Sequence, residues 1–326
     1  MVATSTATGR ESERPVSFSH RYKERWDRAA TVRCAQRPAP EAATENGDYF
    51  PELRQPLAIH PDVVALGAEA RRFALVQSAY KYMNDVALTE TEVVSRTAIA
   101  IANGRVAANL PMEFRQVALT VVVDESYHAL VARDFIAAVE KATAIASLPL
   151  PSSTELSQAI DLAHGLLDPA LHDDFDVMAL CIAENTLTKE IVDLSCAGGD
   201  LAQSFARVLK EHLADEAMHA AFFQRVLAQH WQDLPASRRD ALAAVLPDFL
   251  LRYLSIGTQR RFDAAILAAL GVAPAAAEKI VEDLHGGFVL GPRHPMLRGI
   301  VSMFERAGIL AHPPVRTALG GRGLIA

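Results

Sequence analysis

Apolar residues recur along most of the chain at intervals of three and four, and strict alternation of apolar and polar residues is sustained nowhere. That period belongs to helices, so the pattern predicts an all-α fold. Four long helical patterns stand out: residues 61–86 running into 87–103, then 111–147, 172–196 and 200–231. Asn103-Gly104, the run Pro149-Leu150-Pro151-Ser152-Ser153, and Gly198-Gly199-Asp200 separate them, each a group of helix-ending residues. Long amphipathic helices joined this way predict a four-helix bundle at about residues 61–231. Ahead of it, residues 1–50 carry Pro15, Pro38 and Pro40, a polar run from Thr44 to Asp48, and one helical candidate from Tyr22 to Val32. They read as an N-terminal arm laid over the core. Behind it, residues 234–326 form further helices punctuated by Pro235, Pro247, Gly271, Pro274, Gly286, Gly287 and Pro292, which cap the bundle. The chain is thus an arm followed by one domain over residues 51–326.

Composition agrees with helix-on-helix packing: 50% of the 326 residues are hydrophobic and only 6% aromatic. A net charge of −7 offers no basic footprint for nucleic acid. Cys34, Cys181 and Cys196 are odd in number and include no CxxC pair, which argues against a disulfide framework or a cysteine metal site and fits a reducing cytoplasm. The N-terminal residues are charged where a secretory signal needs an apolar run, and no later segment approaches about 20 uninterrupted apolar residues, so no membrane span is expected.

One internal echo changes the picture. Asp124-Glu125-Ser126-Tyr127-His128 and Asp215-Glu216-Ala217-Met218-His219 are two copies of D-E-x-x-H in two long helical patterns. Residues i and i+3 share a helix face, so each Glu-His pair can reach one metal, and two such helices packed together bring two metals side by side. A ferritin-like two-metal site also takes one lone glutamate from each of two other helices. Glu90 stands 35 residues before Glu125, and Glu184 stands 32 before Glu216.

Orientation separates ligands from bystanders. Glu184 shares its face with Val177, Leu180, Cys181, Leu187, Thr188 and Ile191, whereas Glu190 falls about 240° around and should face away. Glu90 competes with Glu92, about 200° distant. Met83, Val86, Val93, Val94, Thr97 and Ile101 share the face of Glu90, while polar residues crowd that of Glu92, so Glu90 is the inward one. Glu282-x-x-His285 is a decoy: Gly286 and Gly287 stop its helix, and no glutamate precedes it back to Glu216 except Glu278. His212, Glu216 and His219 fall within about 60° of one another, which makes His212 a third imidazole on the metal stripe. His20, His60, His164, His172, His230, His294 and His312 read as surface, capping or loop residues.

Carboxylates can bridge two cations and imidazoles favour first-row transition metals, so four glutamates with three histidines suit two irons, with manganese as the rival. Buried without a cation, such glutamates are costly as anions. Asp124 and Asp215 are placed to accept hydrogen bonds from the far nitrogens of ligand histidines.

With these residues the chain resembles the AurF-type arylamine N-oxygenases. The matching elements are Glu90-Thr91-Glu92-Val93-Val94, Glu125-x-x-His128, Glu184-Asn185-Thr186-Leu187 and His212-x-x-x-Glu216-x-x-His219; Trp26-Asp27-Arg28-Ala29-Ala30, Phe50-Pro51-Glu52-Leu53 and His60-Pro61 are weaker likenesses. The resemblance implies a homodimeric ferritin-like fold with seven protein ligands, and a peroxo-diferric oxidant formed from the reduced irons and O2. It further implies a small-molecule amine substrate carried to hydroxylamine and nitro product in secondary metabolism, such as antibiotic biosynthesis, with electrons from an external donor. A two-iron desaturase or C-hydroxylase is the alternative, against which the extra His212 argues. Iron storage is a third reading, disfavoured because a ferritin-sized bundle needs about half this chain. Arg96, Tyr253, Arg298 and Arg306 are read as surface polar residues, and no substrate pocket is assigned.

Overall fold

The computed structural model describes residues 15–34, 47–106 and 109–325. Much of the sequence-predicted arm, including Pro38, Pro40 and the run from Thr44 to Asn46, lies outside the described residues. The arm begins with α1 (Pro15–Ala29) and, after a break at Ala30, the single turn α2 (Thr31–Cys34). A short α3 (Pro61–Val64) leads to α4 (Ala68–Thr89), a π-helical segment over Glu90–Ser95, and α5 (Arg96–Ala102). Next come α6 (Met112–Thr143), α7 (Glu155–Leu166), α8 (His172–Ser195) and α9 (Gln203–Asp233). The C-terminal set is α10 (Ala236–Tyr253), α11 (Gly257–Ala269), α12 (Pro274–His285), α13 (Pro295–Arg306) and α14 (Pro313–Gly321).

The expected all-α, ferritin-like bundle is present, formed by α4 with its continuation into α5, and by α6, α8 and α9. Among the described residues extended pairing is limited to one parallel bridge, between Asp48 and Leu201. Gly47 makes that bridge possible. Its φ is +106°, and a Cβ there would meet the Asp200 carbonyl oxygen at 2.6 Å.

Two apolar cores occupy the two ends of the bundle. At one end Val94 and Ile101, Val117 and Val121 of α6, Val177 to Ala183 of α8, and Phe222 to Leu227 of α9 pack beneath α10, α13 and α14. At the other, Leu75 to Ala87 of α4, Ala132 and Phe135 of α6, Ile191 and Leu194 of α8, and Phe205 and Leu209 of α9 pack against α11 and α12. Each fully buried Leu, Phe or Val contributes about 1.5–3 kcal/mol, so the two ends fix helix register firmly. Every bundle helix passes from one core to the other, and the metal-binding candidates lie in the belt between.

Three features depart from the sequence reading. Helix α7 stands within a stretch read as connection. Its signal is legible in retrospect: Thr154 and Ser157 form a reciprocal capping box, and Leu156, Ala159, Ile160 and Ala163 are buried at helical spacing. Pro247 does not punctuate, because α10 runs through it with Leu246, Phe249 and Leu250 buried on either side. Burial of these neighbours outweighs the roughly 3 kcal/mol that an internal proline costs. Third, Ala236–Ala269 is apolar enough by length and composition to cross a membrane, with a window of mean hydropathy 1.3. It is two helices broken at residues 254–256, and Leu242, Leu246, Phe249, Leu250, Ile266 and Leu267 are buried in the protein, as in a core helix pair.

Candidate metal centre

All seven sequence-predicted ligands meet in the belt. One atom from each of Glu90, His128, His212 and Glu216 forms a group whose members all lie within 4.8 Å of one another, and Glu125, Glu184, Glu216 and His219 form a second such group. Glu216 belongs to both. His212 Nε2 approaches Glu90 Oε1 to 2.8 Å and Glu216 Oε1 to 3.2 Å. His219 Nδ1 lies 2.9 Å from Glu125 Oε1 and 3.3 Å from Glu216 Oε1. His128 Nδ1 lies 3.4 Å from Glu125 Oε2, 3.7 Å from Glu90 Oε1 and 3.8 Å from Glu216 Oε1.

Of these approaches only His128 Nδ1 to Glu125 Oε2 has hydrogen-bond geometry. Both oxygens of Glu90 and of Glu184, one each of Glu125 and Glu216, His212 Nε2 and His219 Nδ1 are buried with no hydrogen-bond partner. Unpaired buried polar atoms are rare because each costs about 1–3 kcal/mol, so their convergence fits a pair of metal ions as common partner. Electrostatics carry the same strain. Burial pushes the Glu184 carboxyl well above its usual range, with Glu216 and Glu125 adding to it. Burial also raises Glu90 to about 7, against the pull of His212. Burial and His128 depress His212, but Glu90 and Glu216 outweigh them and leave it at about 9. Glu216 is drawn well below its usual range: burial opposes this, and the adjacent imidazoles of His212 and His219 prevail.

The two aspartates of the echo cross over. Asp124, beside Glu125 on α6, accepts from His219 Nε2 of α9 at 3.2 Å, and Asp215, beside Glu216 on α9, accepts from His128 Nε2 of α6 at 3.1 Å. An ionised carboxylate only accepts, so the proton sits on Nε2 and the Nδ1 lone pair of both histidines points into the belt. His212 differs: it presents Nε2, and among the described residues no carboxylate bonds its other ring nitrogen.

The arm reaches the same aspartates. The Trp26 indole N–H donates to both oxygens of Asp124, at 2.9 and 2.8 Å. The break at Ala30 frees the Thr31 backbone N–H, which donates to both oxygens of Asp215 at 3.3 and 3.2 Å. Tyr22, one helical turn before Trp26, is buried against Phe222. The arm therefore completes the metal belt as well as covering it. Sequence spacing has no signal for this, because an indole and a backbone amide form no motif.

Glu90 is 1% exposed and Glu92 is exposed on the surface, as the face comparison predicts. The wound segment at Glu90–Ser95 nonetheless departs from 100° per residue: Thr89 and Ser95, assigned by that period to the outer face, are buried. A π-turn at a ligand position is a common functional device. Glu190 does turn away from the belt and, partly exposed, lines a chamber that also includes Lys81, Asp85 and Tyr253. The decoy His285 ends α12 and bonds Asp263 at 2.7 Å, outside the cluster. Arg96 pairs with Asp176 on the surface. Two residues are corrected: His230 is fully buried, its Nε2 on the Asp174 carbonyl oxygen at 3.1 Å, and Tyr253 lies inward, hydrogen-bonded to Thr186.

Four glutamates and three histidines at the waist of a helical bundle define the class of ferritin-like carboxylate–histidine two-metal proteins. Within that class, residues 19–305 match the family described as P-aminobenzoate N-oxygenase AurF, and the chain belongs to it. It is accordingly a diiron oxygenase of the arylamine N-oxygenase type. No curated protein matches the chain.

Proposed function

We propose that the protein oxidises the nitrogen of a small aromatic amine at two irons held by Glu90, Glu125, His128, Glu184, His212, Glu216 and His219. The carrying observation is the convergence of buried, unpartnered oxygen and nitrogen atoms into two overlapping four-residue groups that share Glu216. Glu90, His128 and His212 would hold one ion and Glu125, Glu184 and His219 the other, with Glu216, common to both groups, able to serve either. Bound there, two irons would supply the redox chemistry that acts on dioxygen. The first turnover balances as amine, O2, two protons and two electrons giving hydroxylamine and water, with an external donor supplying the electrons; further rounds lead toward the nitro product. Asp124 and Asp215 hold the imidazole tautomers through this cycle, and the buried walls exclude bulk water from the reacting oxygen.

Manganese suits the same oxygen and imidazole donors and is the substitute to test against iron. A desaturase or C-hydroxylase reading is disfavoured by His212, an imidazole beyond the two Glu-x-x-His pairs. A homodimeric, cytoplasmic enzyme of secondary metabolism completes the proposal, supported by family membership and by three free cysteines. The test is metal analysis together with mass spectrometry of products from aromatic amines supplied with reductant and O2. Two irons per chain and a hydroxylamine or nitro product are expected; one zinc, or oxidation only at carbon, refutes it.

A further inference from the structure

The belt has two sides. On the side of His128 and His212 the enclosed gap among Tyr82, Met83, Val131 and Leu209 is about 20 Å³, too small for an aromatic ring. Beyond Tyr82 and Val86, which line both, a chamber of about 350 Å³ opens, the volume of a small-ligand site. Thr89, next to Glu90, and Thr186 and Leu187, just after Glu184, form its inner wall. Tyr82 divides gap from chamber and feels the charges of Glu190, Glu90 and Glu216, while Tyr253 feels both Glu190 and Glu184. The chamber's wall is thus made next to Glu90 and Glu184, with Tyr82 and Val86 between it and the gap at His128 and His212, and Glu190 lines it as well.

Its charges are the informative part. Lys81 is buried, but its ammonium donates to Asp85 Oδ2 at 2.6 Å and is spoken for. Asp85 Oδ1 is buried and accepts nothing. Glu155 accepts the Thr258 backbone N–H at 2.6 Å. Glu190 has no hydrogen bond or ion pair among the described residues, and burial raises its carboxyl pKa while Arg54 and Lys81 pull it back. Arg54 stands exposed at the rim. Three carboxylates thus face two cations, and the inner cation is already paired. A carboxylate on an incoming substrate would meet this excess negative charge, whereas a cation would relieve it.

Resting on the N-oxygenase reading, we infer that the chamber takes an aromatic amine whose far end carries a cationic nitrogen, and that Glu190 reads that group. The substrate class is then an aromatic diamine with one protonated amine, distinct from the p-aminobenzoate of the family's description. Glu190 stands six residues past Glu184 on α8, so its distance from the belt sets the separation of the two nitrogens.

Equilibrium binding to the iron-loaded full chain tests this with three probes of one size: 4-aminobenzylamine, protonated at its benzylic nitrogen; 4-methylaniline, neutral; and 4-aminobenzoate, anionic. The diamine should bind at least about tenfold more tightly than the benzoate, from the strength of a charge-assisted hydrogen bond. Glu190→Gln should shrink that ratio to about threefold or less while leaving 4-methylaniline binding unchanged, which also shows that the variant is folded. Equal or tighter binding of 4-aminobenzoate, a ratio untouched by Glu190→Gln, or no binding by any probe overturns the inference. Product analysis keeps it separate from the parent reading: nitrogen oxidation with benzoate preferred sinks only the charge assignment, and diamine binding without nitrogen oxidation of any probe sinks only the N-oxygenase.

Discussion

Replacing Trp26 by Phe removes one hydrogen-bond donor and keeps most of the ring, so it isolates what the arm does for the metal belt. The indole N–H lies within 2.9 Å of both oxygens of Asp124, a carboxylate with no solvent exposure whose other side-chain partner is His219. Loss of a hydrogen bond to a buried charged group costs about 1.5–3 kcal/mol, and Asp124 has no exposed surface. Asp124 fixes the His219 tautomer, and loss of such outer partners typically lowers metal affinity about 10–100-fold. Urea unfolding of the metal-free protein should show the first effect, and titration with iron against a competing chelator the second. Phe18→Leu is the control, since Phe18 packs the same helix on Tyr22 and Phe114 without touching an aspartate. It should lower stability alone. Equal metal affinity in Trp26→Phe and the wild type would refute the argument that the arm tunes the belt through Asp124.

Three further outcomes follow from the site. Glu90→Ala should retain no more than about half the iron, while the exposed Glu92→Ala stays within about 0.5 kcal/mol of wild-type stability and keeps its full metal content; the reverse pattern in metal analysis would mean the π-turn has been misread. His212→Ala should still bind iron through the other six ligands but lose amine oxidation, and a wild-type rate of product formation would make His212 a bystander. In the metal-free protein Glu90 is raised from 4.5 to about 7 and His212 from 6.5 to about 9. A raised group stabilises fully below its unfolded value and loses that contribution as pH rises through its folded value, so metal-free stability should fall between about pH 5 and 9. Chemical unfolding across that range checks it, and a flat or rising profile contradicts the shifts.

Helix positions and the seven convergent residues were legible because both rest on period. Glu125, His128, Glu216 and His219 declare themselves by i, i+3 spacing repeated twice, and Glu184 by an apolar face whose Val177, Leu180, Cys181 and Ile191 are buried. Glu90 was legible for a narrower reason. Val93, Val94 and Ile101 lie on its side even after the helix winds into a π-turn, although the same turn carries Ser95 inward against the simple period. The chamber was not legible. Glu190, Tyr253 and Lys81 come from α8, α10 and α4, and only packing brings their side chains to one wall. Glu190 does face away from the metal belt, but an angle on a helix wheel cannot distinguish open surface from a partly open chamber.

The echo also explains what the centre shares and where it differs. Two D-E-x-x-H segments on facing helices each supply a bridging or terminal glutamate, a histidine, and the aspartate that orients the other segment's histidine, so α6 and α9 lock each other's ligands. That reciprocity makes both halves necessary: loosening either helix releases an imidazole on its neighbour. The asymmetry comes from elements outside the echo. His212 adds a ligand on the Glu90 side only, an indole backs one aspartate while a backbone amide backs the other, and the ligand-sized chamber opens beside Glu90 and Glu184 while the opposite gap holds about 20 Å³. A symmetric site would give the two metals equal surroundings. Here the two groups differ in donor type, two glutamates with two histidines against three glutamates with one, and in the groups holding the aspartates, while the chamber lies next to residues of both.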